Sequence, residues 1–268
     1  MLKDITLGQY FPGNTLLHRL DPRTKLVAVI GYIVALFLAK WFISYGLMFV
    51  FLASCIAVSR IRLKTMLRGL KPLVIVILLT ALLNVLYTGG EHVIAEFWVF
   101  TISREGVRTA FFMVIRIIML VMGTFLLTYT TSPIALTDGI ESLLGPLKKI
   151  HVPVHELAMV MSIALRFIPT LIEETDKIIS AQKARGADFE SGSLIRRAKA
   201  LIPVLVPLFI SAFRRADELA TAMECRCYHG GEGRTRMKQL RYGKADAAAY
   251  FTCAALIAAV VTLRRFGL

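Results

Sequence analysis

Residues 26–58 read LVAVIGYIVALFLAKWFISYGLMFVFLASCIAV and hold one charged side chain, Lys40. A membrane-crossing helix needs about 20 apolar residues, or about 17 at the short end, so the run is tight for two spans. Extending the first back to Pro22 and the second forward to Ser59 makes a helical hairpin feasible. The pair Asp21-Pro22 supplies the start. An aspartate side chain accepts the orphan N–H groups of a first turn, and proline at the first helical position gives up no hydrogen bond. Capping accounts for Asp21 without a catalytic role. Met1 to Lys25 is polar and lacks the apolar core of a cleavable signal.

Composition agrees with a membrane protein. The chain is 56% hydrophobic with mean hydropathy +0.66, against about 45–50% apolar for soluble domains. The formal net charge of +14 sits in clusters beside apolar runs, the pattern of cytoplasmic loops. No tract interleaves aromatic and basic residues as base stacking requires. The lipid bilayer is therefore the expected surrounding, and no nucleic-acid partner is expected.

Outward from the hairpin, Arg60, Arg62, Lys64, Arg68 and Lys71 mark a cytoplasmic loop or short interfacial helix. Pro72 to Tyr87 reads as a third span. The loop on to Glu105 carries Trp98 and suits an outer interface. Val107 to Tyr129 reads as a fourth span with Arg116 inside it. An intramembrane arginine is costly, and pairing with a neighbouring helix or snorkelling is favoured over a functional role. Asp246 to Leu263 reads as a last, Ala-rich span. Charge bias places Arg60 to Lys71 and residues 130–244 inside the cell.

Residues 130–244 change character. A short amphipathic helix starts at Pro133, and Pro153 opens a much longer one. There Leu157, Met161, Ala164, Ile168, Leu171 and Ile178 recur at helical spacing. A second long helix carries Leu194, Ala198, Leu201, Leu205, Leu208, Ala212, Leu219 and Met223 on one face. Only the first half of each is apolar. The second halves carry Glu173, Glu174, Asp176 and Lys177 in one, and Arg214, Arg215, Asp217 and Glu218 in the other. Those halves do not fit hydrocarbon, so the sequence predicts two arms in or under the inner interface, with their C-terminal ends in the cytosol.

Each arm ends in a small-Arg-small tripeptide, Ala184-Arg185-Gly186 and Cys225-Arg226-Cys227. Sliding one arm onto the other pairs Asp176 with Asp217, Ile178 with Leu219, Ser180 with Thr221, Ala181 with Ala222 and Arg185 with Arg226. A guanidinium presents a rigid fork to carboxylates, and a helix C-terminus favours a cation. Two arms so tipped point to docking on two similar sites.

Chemistry is otherwise absent from the sequence. There is no phosphate-cradling P-loop, no G-x-S-x-G and no H-E-x-x-H. Cys225-x-Cys227 with His229 lacks a second ligand pair at zinc spacing. The four cysteines, 55, 225, 227 and 253, form no disulfide framework. No catalytic residue, no metal and no cofactor is expected, and the chain is not expected to be an enzyme.

These residues resemble a known family, the T component (EcfT) of energy-coupling factor vitamin transporters. The likeness covers nearly the whole chain. It rests on Leu17-His18-Arg19-Leu20-Asp21-Pro22-Arg23-Thr24-Lys25, on Ala164-Leu165-Arg166-Phe167-Ile168-Pro169, and on the two tips. Cys225 and Cys227 depart from the Ala and Gly of the family pattern. The resemblance implies a bacterial multi-pass membrane protein in complex with two cytosolic ABC ATPases and an exchangeable substrate-binding membrane subunit, the S component. It implies that Arg185 and Arg226 each enter a groove on one ATPase. Leu157, Met161, Leu201 and Leu205 are the expected contacts with the S component.

The resulting expectation is an all-α membrane protein of about five transmembrane helices plus a cytoplasmic coupling region with two long amphipathic helices. Residues 1–129 form the N-terminal arm and the first four spans, 130–244 the coupling region, and 245–268 the last span. Two other readings stand beside it. One is a T component of a cobalt or nickel system, although the N-terminal arm reads more like the vitamin type. The other is a permease domain that binds substrate itself, for which only Asn84 and Arg116 stand out as polar residues in the spans.

Overall fold

A computed structural model describes residues 10–88, 93–97, 100–189, 193–230 and 239–266, of which 93–97, 100–102 and 194 as backbone alone. The described chain is helical apart from one small hairpin. In order it forms α1 (Leu16–Arg19), α2 (Pro22–Leu38), α3 (Phe42–Ser59), α4 (Leu63–Leu70), α5 (Val74–Tyr87), strands β1 (Val93–Phe97) and β2 (Phe100–Ser103), α6 (Arg104–Thr130), α7 (Pro133–Leu143), α8 (Val154–Ala184), α9 (Leu194–Glu224) and α10 (Lys244–Phe266). Contacts divide these into two compact units, one of residues 8–139 and 240–268, the other containing 140–239.

Among the described residues, five helical stretches are long and apolar enough to cross a membrane: Phe42–Ser59, Leu63–Tyr87, Arg104–Thr130, Val154–Ala184 and Lys244–Phe266. The number agrees with expectation; the membership does not. Helix α2 has 17 residues, at the short end for a span. Helix α8, expected as an arm, qualifies through its apolar first half, with the lowest hydropathy of the five. Its second half carries Glu173, Glu174, Asp176 and Lys177, so the whole helix is not a uniform span.

One other segment takes one of its two expected forms, and two differ from the sequence reading. The basic stretch after Arg60 is helical from Leu63, runs through a 3₁₀ turn at Lys71–Leu73 and continues into α5. It buries Met66 and Leu70 while its cations stay exposed. The segment before α6 forms an antiparallel hairpin, Glu96 opposite Thr101 and Phe97 opposite Phe100; Trp98 lies outside the described residues. Helix α6 starts three residues before Val107, because Ser103 Oγ accepts from Gly106 N at 2.9 Å and caps it.

The core of the first unit is one cluster drawn from α2, α3, α4, α6 and α10. It includes Leu36, Met48, Leu52, Met119, Tyr129 and Val260, all nearly inaccessible. Small residues set the spacing. A Cβ on Gly123 would lie 2.6 Å from Tyr32, and one on Gly31 2.6 Å from Cys253 Sγ, so α2 packs closely on α6 and α10 only with glycine there.

Arg116 is held structurally. Its guanidinium donates to Tyr45 Oη at 2.7 and 3.0 Å and to Ala39 O at 3.4 Å, and stands 5.5 Å from the Phe37 ring centre. Ala39 is the C-cap of α2, where unpaired carbonyls favour a cation. Pairing across helices is thus the observed arrangement.

One end of this unit gathers the cytoplasmic-side ends expected from charge. Lys25 Nζ donates to Thr130 O at 2.9 Å and His18 O at 3.2 Å. Phe11 N donates to Tyr129 O at 3.0 Å. Asp21 N donates to Asp246 Oδ1 at 2.8 Å, while Asp246 Oδ2 accepts from Gly243 N at 2.8 Å. The start of α2, the end of α6 and the start of α10 are therefore tied together.

Candidate functional site

Helices α8 and α9 have 31 residues each, about 46 Å if straight. They pack on one another in antiparallel sense. Gln182 Nε2 donates to Pro203 O at 3.3 Å, and further along Ser211 Oγ and Arg215 Nη2 donate to Glu174, the latter at 2.8 Å. Glu174 stands in the charged half of α8. The Ser211 hydrogen bond and the Arg215 guanidinium hold its carboxyl below the usual carboxylate range.

The apolar stripes expected on the arms split into two parts. Ile168, Leu171 and Ile178 of α8, and Leu208, Ala212, Leu219 and Met223 of α9, are half-buried. Leu157 (56% exposed), Met161 (50%), Leu201 (46%) and Leu205 (47%) are open. On α9 the most buried side chain is Val204, with Ile202, Phe209 and Phe213 exposed around it. The four expected contact residues are thus uncovered large hydrophobic side chains, which cost stability in water and need lipid or a partner.

The two tips share one backbone design. Helix α8 stops with Gly186 N donating to Lys183 O at 3.0 Å and Ala187 N to Gln182 O at 3.0 Å. Helix α9 stops with Cys227 N donating to Glu224 O at 2.9 Å and Tyr228 N to Met223 O at 3.1 Å. These are the same two bonds at matched positions, the outer one closing a Schellman-type stop. Both stops need a left-handed residue. Gly186 takes it at φ +87° and Cys227 at φ +57°. A non-glycine residue there costs roughly 1–2 kcal/mol, so the second tip keeps the geometry against its residue type.

Arg185 and Arg226 stand one residue before that left-handed position, both exposed, with Ala184, Cys225 and Cys227 exposed beside them. Among the described residues neither arginine makes an ion pair or a side-chain hydrogen bond. From Pro203, opposite the end of α8, to Arg226 the chain rises about 35 Å along α9. Two unpaired guanidinium groups on identical stops, that far apart, are suited to two separate acidic sites.

A family described as "CbiQ: Cobalt transport protein" matches residues 13–237. The chain is 57% identical over 265 residues to the energy-coupling factor transporter transmembrane protein EcfT of Thermosediminibacter oceani, covering 99% of both. It is 56% identical over 265 residues to the EcfT of Acidaminococcus fermentans, covering 98% of both. The chain belongs to the EcfT family. It is a transmembrane component of an energy-coupling factor transporter and a multi-pass bacterial membrane protein. The EcfT of Clostridium kluyveri is similar too, 55% identical over 99% of this chain and 98% of its own length.

One junction in this EcfT chain escaped the sequence reading. The long segment between α7 and α10 leaves the first unit at Gly139 and rejoins it at Leu240. A Cβ on Gly139 would lie 3.0 Å from Pro22 Cβ, and Arg23 Nη2 donates to Leu240 O at 3.2 Å. Arg23 also lies 5.0 Å from the Tyr242 ring centre and 3.6 Å from Asp21 Oδ1. Both ends of the segment therefore meet at the first turn of α2. The run Asp21-Pro22-Arg23 was legible as a helix start; its second duty depends on residues over a hundred positions away, which no local pattern reveals.

Proposed function

We propose that this EcfT chain is the coupling subunit of an ABC-type importer. Its two arms transmit the motion of two cytosolic ATPase subunits to a vitamin-binding S component in the membrane. The identical backbone stops at Gly186 and Cys227, each presenting one unpaired arginine, carry this reading. Two like tips suit two like partners, with Ala184, Arg185 and Gly186 entering one groove and Cys225, Arg226 and Cys227 the other. Leu157, Met161, Leu201 and Leu205, open and apolar, suit the S component. In this reading residues 130–244 are the coupling region and 1–129 with 245–268 its membrane anchor. When ATP draws the ATPases together, the tips move with them, the angle between α8 and α9 changes, and the S component turns on their apolar halves. The chain itself carries no hydrolytic chemistry.

A cobalt or nickel importer would use the same arms, and the match to a cobalt-transport family favours that cargo. The near full-length relatives named EcfT favour the general coupling role. Uptake assays with a vitamin and with cobalt, using the same complex, separate the two.

The decisive experiment uses Arg185→Ala, Arg226→Ala, the double variant, and Arg→Lys at each position. A guanidinium paired in a partly desolvated groove leaves its partner charge unsatisfied when removed, a loss of about 2–5 kcal/mol. Each alanine variant is expected to impair ATPase coupling, and the double variant to release both ATPases or uncouple hydrolysis from uptake. Lysine rescues poorly, since its point charge lacks the planar fork. Normal ATPase copurification and uptake in the double variant would refute the proposal.

A further inference from the structure

A groove of about 1020 Å³ opens at the end of the first unit where α3 turns into α4. One wall is the segment from Phe11 to His18; the other is the last turn of α3 and the elbow after it. Both walls are fixed. Phe11 N donates to Tyr129 O at 3.0 Å, and the Phe11 ring stands edge-on to Tyr129 at 5.4 Å. His18 Nε2 donates to Phe11 O at 3.0 Å, which leaves Nδ1 to accept from Thr15 Oγ1 at 2.6 Å. Opposite, Ser59 Oγ donates to Ile56 O at 2.7 Å and accepts from Ile61 N at 3.3 Å. Arg60 closes the helix in the left-handed conformation at φ 56°.

The lining has two zones. Phe11, Leu16 and Val58 are apolar and exposed, and Val58 belongs to a helix apolar enough to cross the membrane. Asn14, Arg60 and Arg62 are polar and exposed. Among the described residues no carboxylate lines the groove. Among the described residues neither arginine has an ion-pair or hydrogen-bonding partner for its side chain. Two guanidinium groups at the end of a span, over an apolar floor, match a phosphodiester carrying acyl chains.

We propose that this groove binds the headgroup of an anionic phospholipid. Arg60 and Arg62 take the phosphate, and the acyl chains run along Phe11, Leu16 and Val58. The apolar zone distinguishes a lipid from free phosphate, which would leave that surface uncovered. The groove draws its lining from the first unit alone, and the proposal does not depend on what the arms dock.

The test is binding of short-chain phosphatidylglycerol to the purified full chain in neutral detergent, followed by native mass spectrometry, with phosphatidylcholine for comparison. Arg60→Gln/Arg62→Gln is expected to weaken phosphatidylglycerol binding about tenfold or more and leave phosphatidylcholine unchanged. Lys64→Gln/Arg68→Gln removes the same charge from α4 residues that do not line the groove, and is expected to change binding less than about threefold. Equal losses from the two pairs would mean diffuse surface attraction and overturn the site. Displacement of bound lipid by excess inorganic phosphate would overturn the lipid as its occupant. If the first pair lowers the thermal midpoint, Arg62→Gln alone decides, because the Arg62 side chain caps no helix. Unchanged phosphatidylglycerol binding in that single variant overturns the proposal.

Discussion

The C-terminal halves of α8 and α9 match and their N-terminal halves do not. Asp176 and Asp217, Ser180 and Thr221, Arg185 and Arg226 fall at equivalent places, and so do the two bonds that end each helix. Further back the likeness fails. Helix α8 has one internal proline, Pro169, whereas α9 has Pro203 and Pro207, at positions that do not correspond. A matched pair of ends suits the matched pair of partners proposed above; the unmatched beginnings lie, in an antiparallel pair, at opposite ends of it. The comparison also separates geometry from residue type, since Gly186 and Cys227 reach the same left-handed turn with different side chains.

The unmatched halves offer the largest effect. Leu201→Asp or Leu205→Asp puts an unpaired charge into a contact that should be apolar, costing several kcal/mol if buried. The expected result is loss of the S component from the purified complex with both ATPases retained. Retention of that subunit would place the contact elsewhere on the arms. A smaller effect is expected from Gly186→Val. A Cβ there would meet nothing within 4 Å, so the change acts through the backbone alone, by roughly 1–2 kcal/mol for a left-handed L-residue. Fraying at residues 183–187, read by hydrogen exchange of the isolated chain, should rise while the thermal midpoint of the membrane unit stays put.

The reciprocal change, Cys227→Gly, removes the strain at φ +57° and should protect residues 224–228 by about 1 kcal/mol. Exchange at the α9 tip that is unchanged or faster would show that the cysteine turn carries no strain. The smallest effect concerns the pairing of the arms. Glu174→Gln weakens a partly exposed contact with Arg215 worth a fraction of a kcal/mol. Because the folded carboxyl lies below its usual range, its contribution is present above the unfolded value and fades as pH falls through the lower, folded one. Acidification should therefore loosen the arms in the parent chain and not in the Gln variant, measured by a distance label on each helix.

Much of this was legible in the sequence. The hydrophobic runs, the Asp21-Pro22 helix start and the arginine tips rest on local patterns, and local patterns survive in the fold. The matched tips even carried over to individual hydrogen bonds, because a left-handed stop is set by neighbouring residues. Beside the junction at the first turn of α2, two further features resisted. The division of the α8 stripe into open Leu157 and Met161 and half-buried Ile168, Leu171 and Ile178 depends on where α9 crosses. Periodicity shows a face but not what covers it. The elbow groove depends on Phe11 bonding to Tyr129, a contact between chain segments with no shared motif.

The meeting of Gly139 and Leu240 at Pro22 and Arg23 makes residues 140–239 a loop in the polymer sense. Its two mouths are closed by the first turn of α2, not by the loop itself. Closing such a loop costs a term that grows only with the logarithm of its length, about 0.6 kcal/mol for each doubling. Lengthening or shortening the arms therefore taxes the membrane unit very little. Arm length is free to follow the spacing of whatever the tips must reach, while the helices that hold the protein in the bilayer keep the same closure.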